Sequence, residues 1–280
     1  MNKEQILYED KDIIVCYKPA GIATQTARIG QRDMVSEVAN YLLARDSAKR
    51  QTAGGSRAAG AGYIGCVHRL DQPVEGILVF AGNQKAAAEL SRQITENRVE
   101  KYYYAVVSIA EQDPDSAQKT ERKSKMQVVP EGKLTDYLLK ENKTNLSRIV
   151  SSDEKGAKKA VLEYKILERK ELFPEDFPEK ESFGKNPVSI ALASIRLITG
   201  RHHQIRVQMS HAGMSLLGDY KYADERTKRL SGTLKVKQTA LCAYRLDFIH
   251  PATGEKLSFQ KEPEGVIFQN FSRQISDKFI

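Results

Sequence analysis

"GCVHRLDQPVEGILVFA", residues 65–81, sets His68, Arg69 and Asp71 on one short stretch and then runs into an unbroken apolar segment. Pro73 biases Gln72 away from helix and Gly76 opens the apolar run, so Asp71 is expected on a tight loop at the head of a strand. A loop carboxylate delivered by a strand suits a nucleophile or base, and equally suits a turn-capping Asp. The surrounding sequence has to choose between them.

Working outward, strands are expected at 12–17 (DIIVCY), 76–81 (GILVFA), 101–108 (KYYYAVVS), 161–167 (VLEYKIL), 188–198 (VSIALASIRLI) and 241–249 (LCAYRLDFI). Each is short, rich in β-branched or aromatic residues and bounded by Gly, Pro or charge. Leu162, Tyr164 and Ile166 alternate with Glu163 and Lys165, the pattern of a sheet with one wet face. Helices interleave. Val35, Val38, Ala39 and Leu42 fall on one helical face, and Ala87, Leu90 and Ile94 do so within 84–97. Strands outnumber helices, so the fold class is α+β with a mixed, mostly antiparallel central sheet flanked by helices and loops. Loops are expected at 46–62, 111–125 and 170–187. With no internal repeat and no long linker, residues 1–280 read as one domain.

Composition narrows the partners. The chain has 280 residues, 40% of them hydrophobic, enough for a real core. Lys and Arg number 44 against 36 Asp and Glu, a formal net charge of +8. Such a surplus suits a polyanion such as nucleic acid. Cys16, Cys66 and Cys242 are odd in number and far apart, which supplies neither a disulfide framework nor zinc-ligand spacing and fits reduced cytoplasmic thiols. The charged N-terminus reads as neither a secretory signal nor a spanning helix.

Two rival chemistries fail on spacing. A kinase catalytic loop needs H-R-D followed by Asn, a Gly-rich loop and D-F-G, and Leu70 already interrupts the triplet. Asp71 and Glu75 stand four apart as a glycosidase pair might, but Pro73 between them removes the helix that would align them. The other dense stretch is "ITGRHHQIRVQMSHAGMSLLGDYKY", 198–222. Thr199 is expected to cap a helix with Ile205, Met209 and Ala212 as its apolar stripe and Gly213 at its end. Arg201, His202, His203 and Arg206 then crowd the first turns. Adjacent histidines should diverge, and neither carboxylate nor Cys completes a ligand set with His202, His203 and His211, so no metal site is expected. In "KYYYAVV", Tyr103 shares one strand face with Ala105 and Val107. These tyrosines serve as core, or one of them stacks on a base.

Together these pieces resemble the RNA pseudouridine synthases of the large-ribosomal-subunit (RluA) type over almost the whole chain. The quoted "ILYEDKDIIVCYKPAGIATQ", with Lys18, Pro19 and Gly21, is similar to the family's opening strand and K-P-x-G turn. "HRLD" (68–71) is similar to its hallmark, "KYYYAV" to its K-x-Y-x-A, and "GRHHQIRV" to its G-R-T-H-Q-I-R; "LGDYKY" and "FIHPATGE" are similar to its closing motifs. The resemblance implies the family's catalytic fold and an isomerase that breaks the N1–C1′ bond of a uridine in structured ribosomal or transfer RNA. The uracil is then turned and rejoined through C5, with no cofactor and no metal. It assigns Asp71 as the nucleophile, Tyr103 as the residue stacking on the uracil and Arg206 as the partner of Asp71. For substrate binding it points to His68, Arg69, Arg201, His203 and Gln204, with Arg69 helping to fill the gap left by the flipped nucleotide.

The physical demands agree. An attacking carboxylate must stay ionised in a site dry enough to hold a base, and a nearby guanidinium favours the charged form. The uridine has to leave its stack, and cations must grip the flanking phosphates. The expected partner is RNA, with no membrane, a monomeric enzyme, a cytoplasmic location and no separate N-terminal RNA-binding module. The basic, Gly-rich stretch 46–62 is a candidate arm that orders on RNA. Val74 and Glu75 stand where the family usually has Thr and Ser. That departure also fits a second reading, an RNA-binding or assembly-assisting protein on the same fold.

Overall fold

The structure, a computed structural model, describes residues 1, 3–28, 30–53, 62–109, 129–173, 175 and 187–272. In chain order the elements are β1 (Ile6–Glu9), β2 (Ile13–Lys18), α1 (Met34–Ala53), β3 (Gly65–Cys66), β4 (Glu75–Ala81), α2 (Gln84–Thr95), β5 (Glu100–Ile109), β6 (Glu131–Glu141) and β7 (Leu146–Val150). Then follow β8 (Lys158–Leu172), β9 (Val188–Leu197), α3 (Gln204–His211), β10 (Met214–Leu216), α4 (Glu225–Thr233), β11 (Leu241–Ile249) and β12 (Lys256–Gln260). The class is α+β, and the strand pairs described below run antiparallel. The chain divides into two compact units, Met1–Lys101 with Ala243–Pro263, and Tyr102–Cys242 with the segment from Glu264.

In the first unit β2 lies between β1 and β4, and β4 neighbours β11, which also carries β12. All six residues of β2 and all seven of β4 are buried, so the apolar runs of 13–18 and 75–81 are covered on both faces. The β2–β4 register sets Lys18 opposite Gly76. Gly76 has a φ of +132°, and a Cβ there would stand 2.4 Å from the Ala243 nitrogen and 2.5 Å from its oxygen. Only glycine allows β11 so close at the point where the Asp71 loop enters β4. Helix α2 begins at Asn83, whose side chain accepts from the Ala86 N–H, and the buried Gln93 amide exchanges two hydrogen bonds with the Ile249 backbone.

The second unit orders its strands β5-β9-β8-β6-β7, with β10 also on β5. Strand β5 sets Tyr103 opposite Ile195 and is buried from Tyr102 to Ile109. Leu138 of β6, Ala160 of β8 and Val207 of α3 form a small core, with Ile149 and Tyr222 packed against it. It fixes α3 on the β6–β8 layer.

Several expectations are corrected. Residues 46–53 are helical, because α1 meets no Gly or Pro until Gly54 and carries residues that tolerate helix throughout. The remainder of the expected arm, 54–61, lies outside the described residues, as does the expected loop at 111–125. Strand β8 continues to Leu172, with a register shift between Ile166 and Glu168 that leaves Leu167 exposed. Thr199 caps no helix: α3 starts at Gln204 with His203 before it at a φ of +53°.

Candidate active site

The Asp71 loop is built against the turn that follows β2. Two contacts fasten the residue before Asp71: the Leu70 N–H donates to Thr24 Oγ1 at 3.1 Å, and the Thr24 hydroxyl donates to the Leu70 carbonyl at 2.9 Å. The residue after it is fastened as well. The Gln72 carbonyl accepts from the Gly21 N–H at 2.8 Å, and Gln72 Nε2 donates to the Gly21 carbonyl at 3.0 Å. The Val74 N–H closes the turn onto the Asp71 carbonyl at 3.0 Å. Asp71, half-buried, is thus flanked by two backbone clamps that leave its peptide little freedom.

Lys18 joins the two segments from beneath. Its side chain is fully buried, and its Nζ donates to the carbonyls of Ile22 (2.7 Å), Pro19 (3.0 Å) and Gln72 (3.2 Å). Three donors meet three acceptors, which is the inventory of an ammonium rather than an amine. Burial pulls the Lys18 pKa down to about 7, against the Asp71 and Glu75 carboxylates, which favour its charge. Glu75, buried at the start of β4, accepts from the Tyr17 hydroxyl at 2.7 Å. The residue that departs from the family pattern therefore has a built role, a hydrogen-bonded carboxylate beside the buried lysine.

The other residues of the HRLD stretch hold it in place. Burial, with the like charge of Lys101 adding to it, pushes the His68 imidazole down to about 3. It is neutral, and its Nε2 accepts from the Val79 N–H at 3.1 Å, tying the loop to β4. Arg69 is exposed and donates to Gln25 Oε1 at 2.8 Å.

In the second unit, Tyr102, Tyr103 and Tyr104 are all buried. Around α3 the side chains interlock. Arg206 makes a two-pronged ion pair with Asp219, Nε to Oδ2 at 2.8 Å and Nη2 to Oδ1 at 2.6 Å, and both side chains are almost fully buried. Its guanidinium also lies 5.1 Å from the Tyr222 ring centroid. The Tyr222 hydroxyl meets His203 Nδ1 at 2.6 Å and accepts from the Ser147 N–H at 2.9 Å. Gln204 is buried. Its Oε1 accepts from the Thr199 hydroxyl and the Arg201 N–H, and its Nε2 donates to the Val161 carbonyl and Gln208 Oε1. Arg201 Nε donates to the Lys159 carbonyl at 2.9 Å. His202 and His203 do not diverge as expected. Their rings stack at 3.7 Å because the left-handed backbone at His203 turns them face to face.

Sequence reasoning missed Asp219 as the acid that grips Arg206, although it stands in the quoted LGDYKY. It also missed Thr24 and treated Lys18 only as a motif position. Their partners are backbone carbonyls and N–H groups, which leave no residue-type signature.

The sequence profile of the RNA pseudouridylate synthase family matches residues 12–211, and the chain belongs to that family of RNA-modifying isomerases. Its relatives include ribosomal large subunit pseudouridine synthase D of Zymomonas mobilis, 29% identical over 92% of this chain and 68% of the relative. Another is tRNA pseudouridine synthase C of Vibrio parahaemolyticus, 27% identical over 96% of this chain and 94% of the relative. Within the family the chain is an RNA pseudouridine synthase of the RluA type. Human RNA pseudouridylate synthase domain containing 4 has the same fold, with a TM-score of 0.61 at 22% identity over 93% of this chain and 89% of that one.

Proposed function

We propose that the chain converts particular uridines of structured ribosomal or transfer RNA to pseudouridine, with Asp71 as the nucleophile at the reacting nucleoside. The observation that carries this reading is the double clamp on the Asp71 loop, which fixes the backbone on either side of the HRLD carboxylate. Tyr103 holds the uracil, and Arg206, oriented by Asp219, is the charged partner of Asp71. Arg69, Arg201 and His203 contact the RNA, while His68 and Gln204 act as positioning residues through Val79 and the start of α3. Relatives named for both RNA classes support either substrate. The whole chain serves as one catalytic domain. Free thiols at Cys16, Cys66 and Cys242 support a cytoplasmic setting, and the reading takes the protein as a monomer with no membrane partner. Among the described residues no helix is long and apolar enough to cross a membrane.

The test incubates the protein and its Asp71→Asn variant with unmodified ribosomal and transfer RNA, then maps pseudouridine by carbodiimide treatment and primer extension. A stop made only by the unsubstituted protein is the expected result and identifies the target. Equal stops from both proteins would remove Asp71 from the chemistry. RNA binding without any stop would favour the second reading, a binding protein on this fold, to which the Glu75 departure points.

A further inference from the structure

The second unit carries an exposed aromatic side chain that none of the reaction roles above uses. Tyr220 follows Asp219, the partner of Arg206, and is 52% exposed. Its main chain is fixed on both sides. Asp219 Oδ1 accepts from the N–H groups of Lys221 (3.0 Å) and Tyr222 (3.3 Å), folding 219–222 into a turn around the carboxylate. Just before it, Gly218 has a φ of +70°, and a Cβ there would lie 2.0 Å from the Gln238 oxygen, so the 236–238 loop sits directly on this turn. The far end of the ring is held too, because the Tyr220 hydroxyl donates to the Val236 carbonyl at 3.3 Å. An exposed ring anchored at both ends loses little freedom when something flat settles on it.

Its surroundings are basic. Between 220 and 238 stand six cations (Lys221, Arg226, Lys228, Arg229, Lys235 and Lys237) and two acids (Asp224 and Glu225), a surplus of four against +8 for the whole chain. Both acids are engaged. Asp224 caps α4 by accepting from the Thr227 N–H at 2.8 Å, and Glu225 pairs with Lys228 at 2.8 Å. Lys221 adjoins the ring in sequence, and Lys235 and Lys237 flank the Val236 carbonyl that holds its hydroxyl; all three are exposed. The buried Val236 fastens that loop to the body of the unit. A fixed aromatic face bordered by exposed lysines is the recurring device for gripping unpaired nucleotides, a base on the ring and phosphates on the cations.

We propose that Tyr220, with Lys221, Lys235 and Lys237, is a stacking site for an unpaired nucleotide of the substrate RNA, next to the turn that holds Arg206. The inference rests on the RNA-modifying function above and adds a specificity element to it. RNAs whose target lies in a loop or bulge place unstacked neighbours within reach, and a continuous duplex does not.

The chain has no tryptophan, so Tyr220→Trp installs a single reporter at the site. Its emission is followed on titration with an RNA that the unsubstituted protein modifies, and with a continuous duplex of equal length. Quenching by the first and not by the second is expected. In parallel, Tyr220→Ala should weaken binding of the modified RNA by about tenfold or more, and Tyr220→Phe, which keeps the ring, should recover most of it. Replacing Lys235 and Lys237 by Gln should make the plot of log affinity against log salt shallower by about 0.7 per lysine. Unchanged emission while Tyr220→Trp demonstrably binds the RNA would overturn the proposal, as would equal affinity of the Ala and unsubstituted proteins. If the unsubstituted protein neither binds nor modifies any RNA, the functional reading itself falls and takes this inference with it.

Discussion

Lys18 shows how one buried side chain ties pH to the geometry of a catalytic loop. Its folded-state pKa of about 7 lies well below the ordinary lysine value of 10.5. The sign follows from which state holds the proton. Above about pH 10.5 the lysine is neutral whether folded or unfolded; between there and about 7 the unfolded chain takes up a proton that the folded chain refuses, so falling pH erodes stability over that window. Below about 7 both states are protonated and the cost is constant. Activity moves the opposite way, because only the ammonium has three hydrogens for the carbonyls of Pro19, Ile22 and Gln72. As Lys18 becomes an amine its three carbonyls share two hydrogens, and where the Gln72 contact is lost that carbonyl keeps only the Gly21 N–H, which loosens the residue after Asp71. Single-turnover rates should therefore decline as pH rises through about 7. Lys18→Met, which removes the lysine donor from all three carbonyls and leaves Gln72 only the Gly21 N–H, should be at least about tenfold slower at neutral pH and lack that decline. The Asp71 side of this arrangement was legible in the sequence, from HRLD, Pro73 and Gly76. The lysine's task was not, since its partners are peptide oxygens that any residue could present.

At the scale of elements, short α3 holds its place through polar interlocks more than through its apolar stripe. Eight residues make a marginal helix. What fixes it is the Gln204 amide at its start, Val207 in the small core and the Arg206–Asp219 pair across to the turn after β10. Breaking a buried ion pair by removing one partner costs about 3–5 kcal/mol, because the other charge is left behind. Asp219→Asn keeps the shape and an acceptor oxygen and should lie at the low end of that range. Asp219→Ala, which also releases the N–H groups of Lys221 and Tyr222, should lie at or above the high end. Thermal melting of the two variants against the parent checks the order; a change of 1 kcal/mol corresponds to roughly 2–4 °C in a chain approaching this length. Of the strands that sequence reading found, β2, β4, β5, β9 and β11 are buried along most of their length, where β-branched and aromatic runs are dense, and β8 was legible instead from the alternation of Leu162, Tyr164 and Ile166 with Glu163 and Lys165. It missed β6, β7 and β12, whose residues are largely exposed or half-buried and mix charge with apolar positions, and β1, β3 and β10, which at two to four residues are too short to show a period. The start of α3 was missed for a different reason. A left-handed residue at His203 is a choice of tertiary packing, and histidine does not announce it.

Across the whole molecule, the formal charge of +8 is too large to be neutral in its consequences for a polyanionic substrate. The fold class and the family motifs were legible because apolar runs and motif spacing are written in residue order. The distribution of charge over surfaces was not, because exposure is set only once the chain has folded. Half of the surplus falls within 220–238, where Lys221, Lys235 and Lys237 are exposed. If those three lysines alone each neutralise one phosphate of unpaired RNA, log affinity falls against log salt with a slope of about −2. Quadrupling the salt concentration then weakens binding by at least about fifteenfold. Folding should respond far less, since the ion pair that matters most to the α3 region, Arg206 with Asp219, is buried and weakly screened. Affinity by filter binding and the melting temperature, measured across one salt series, separate the two effects. Steep loss of affinity with an almost constant melting temperature is the outcome that a surface-borne RNA contact requires. A parallel fall of both would mean that salt acts on the fold.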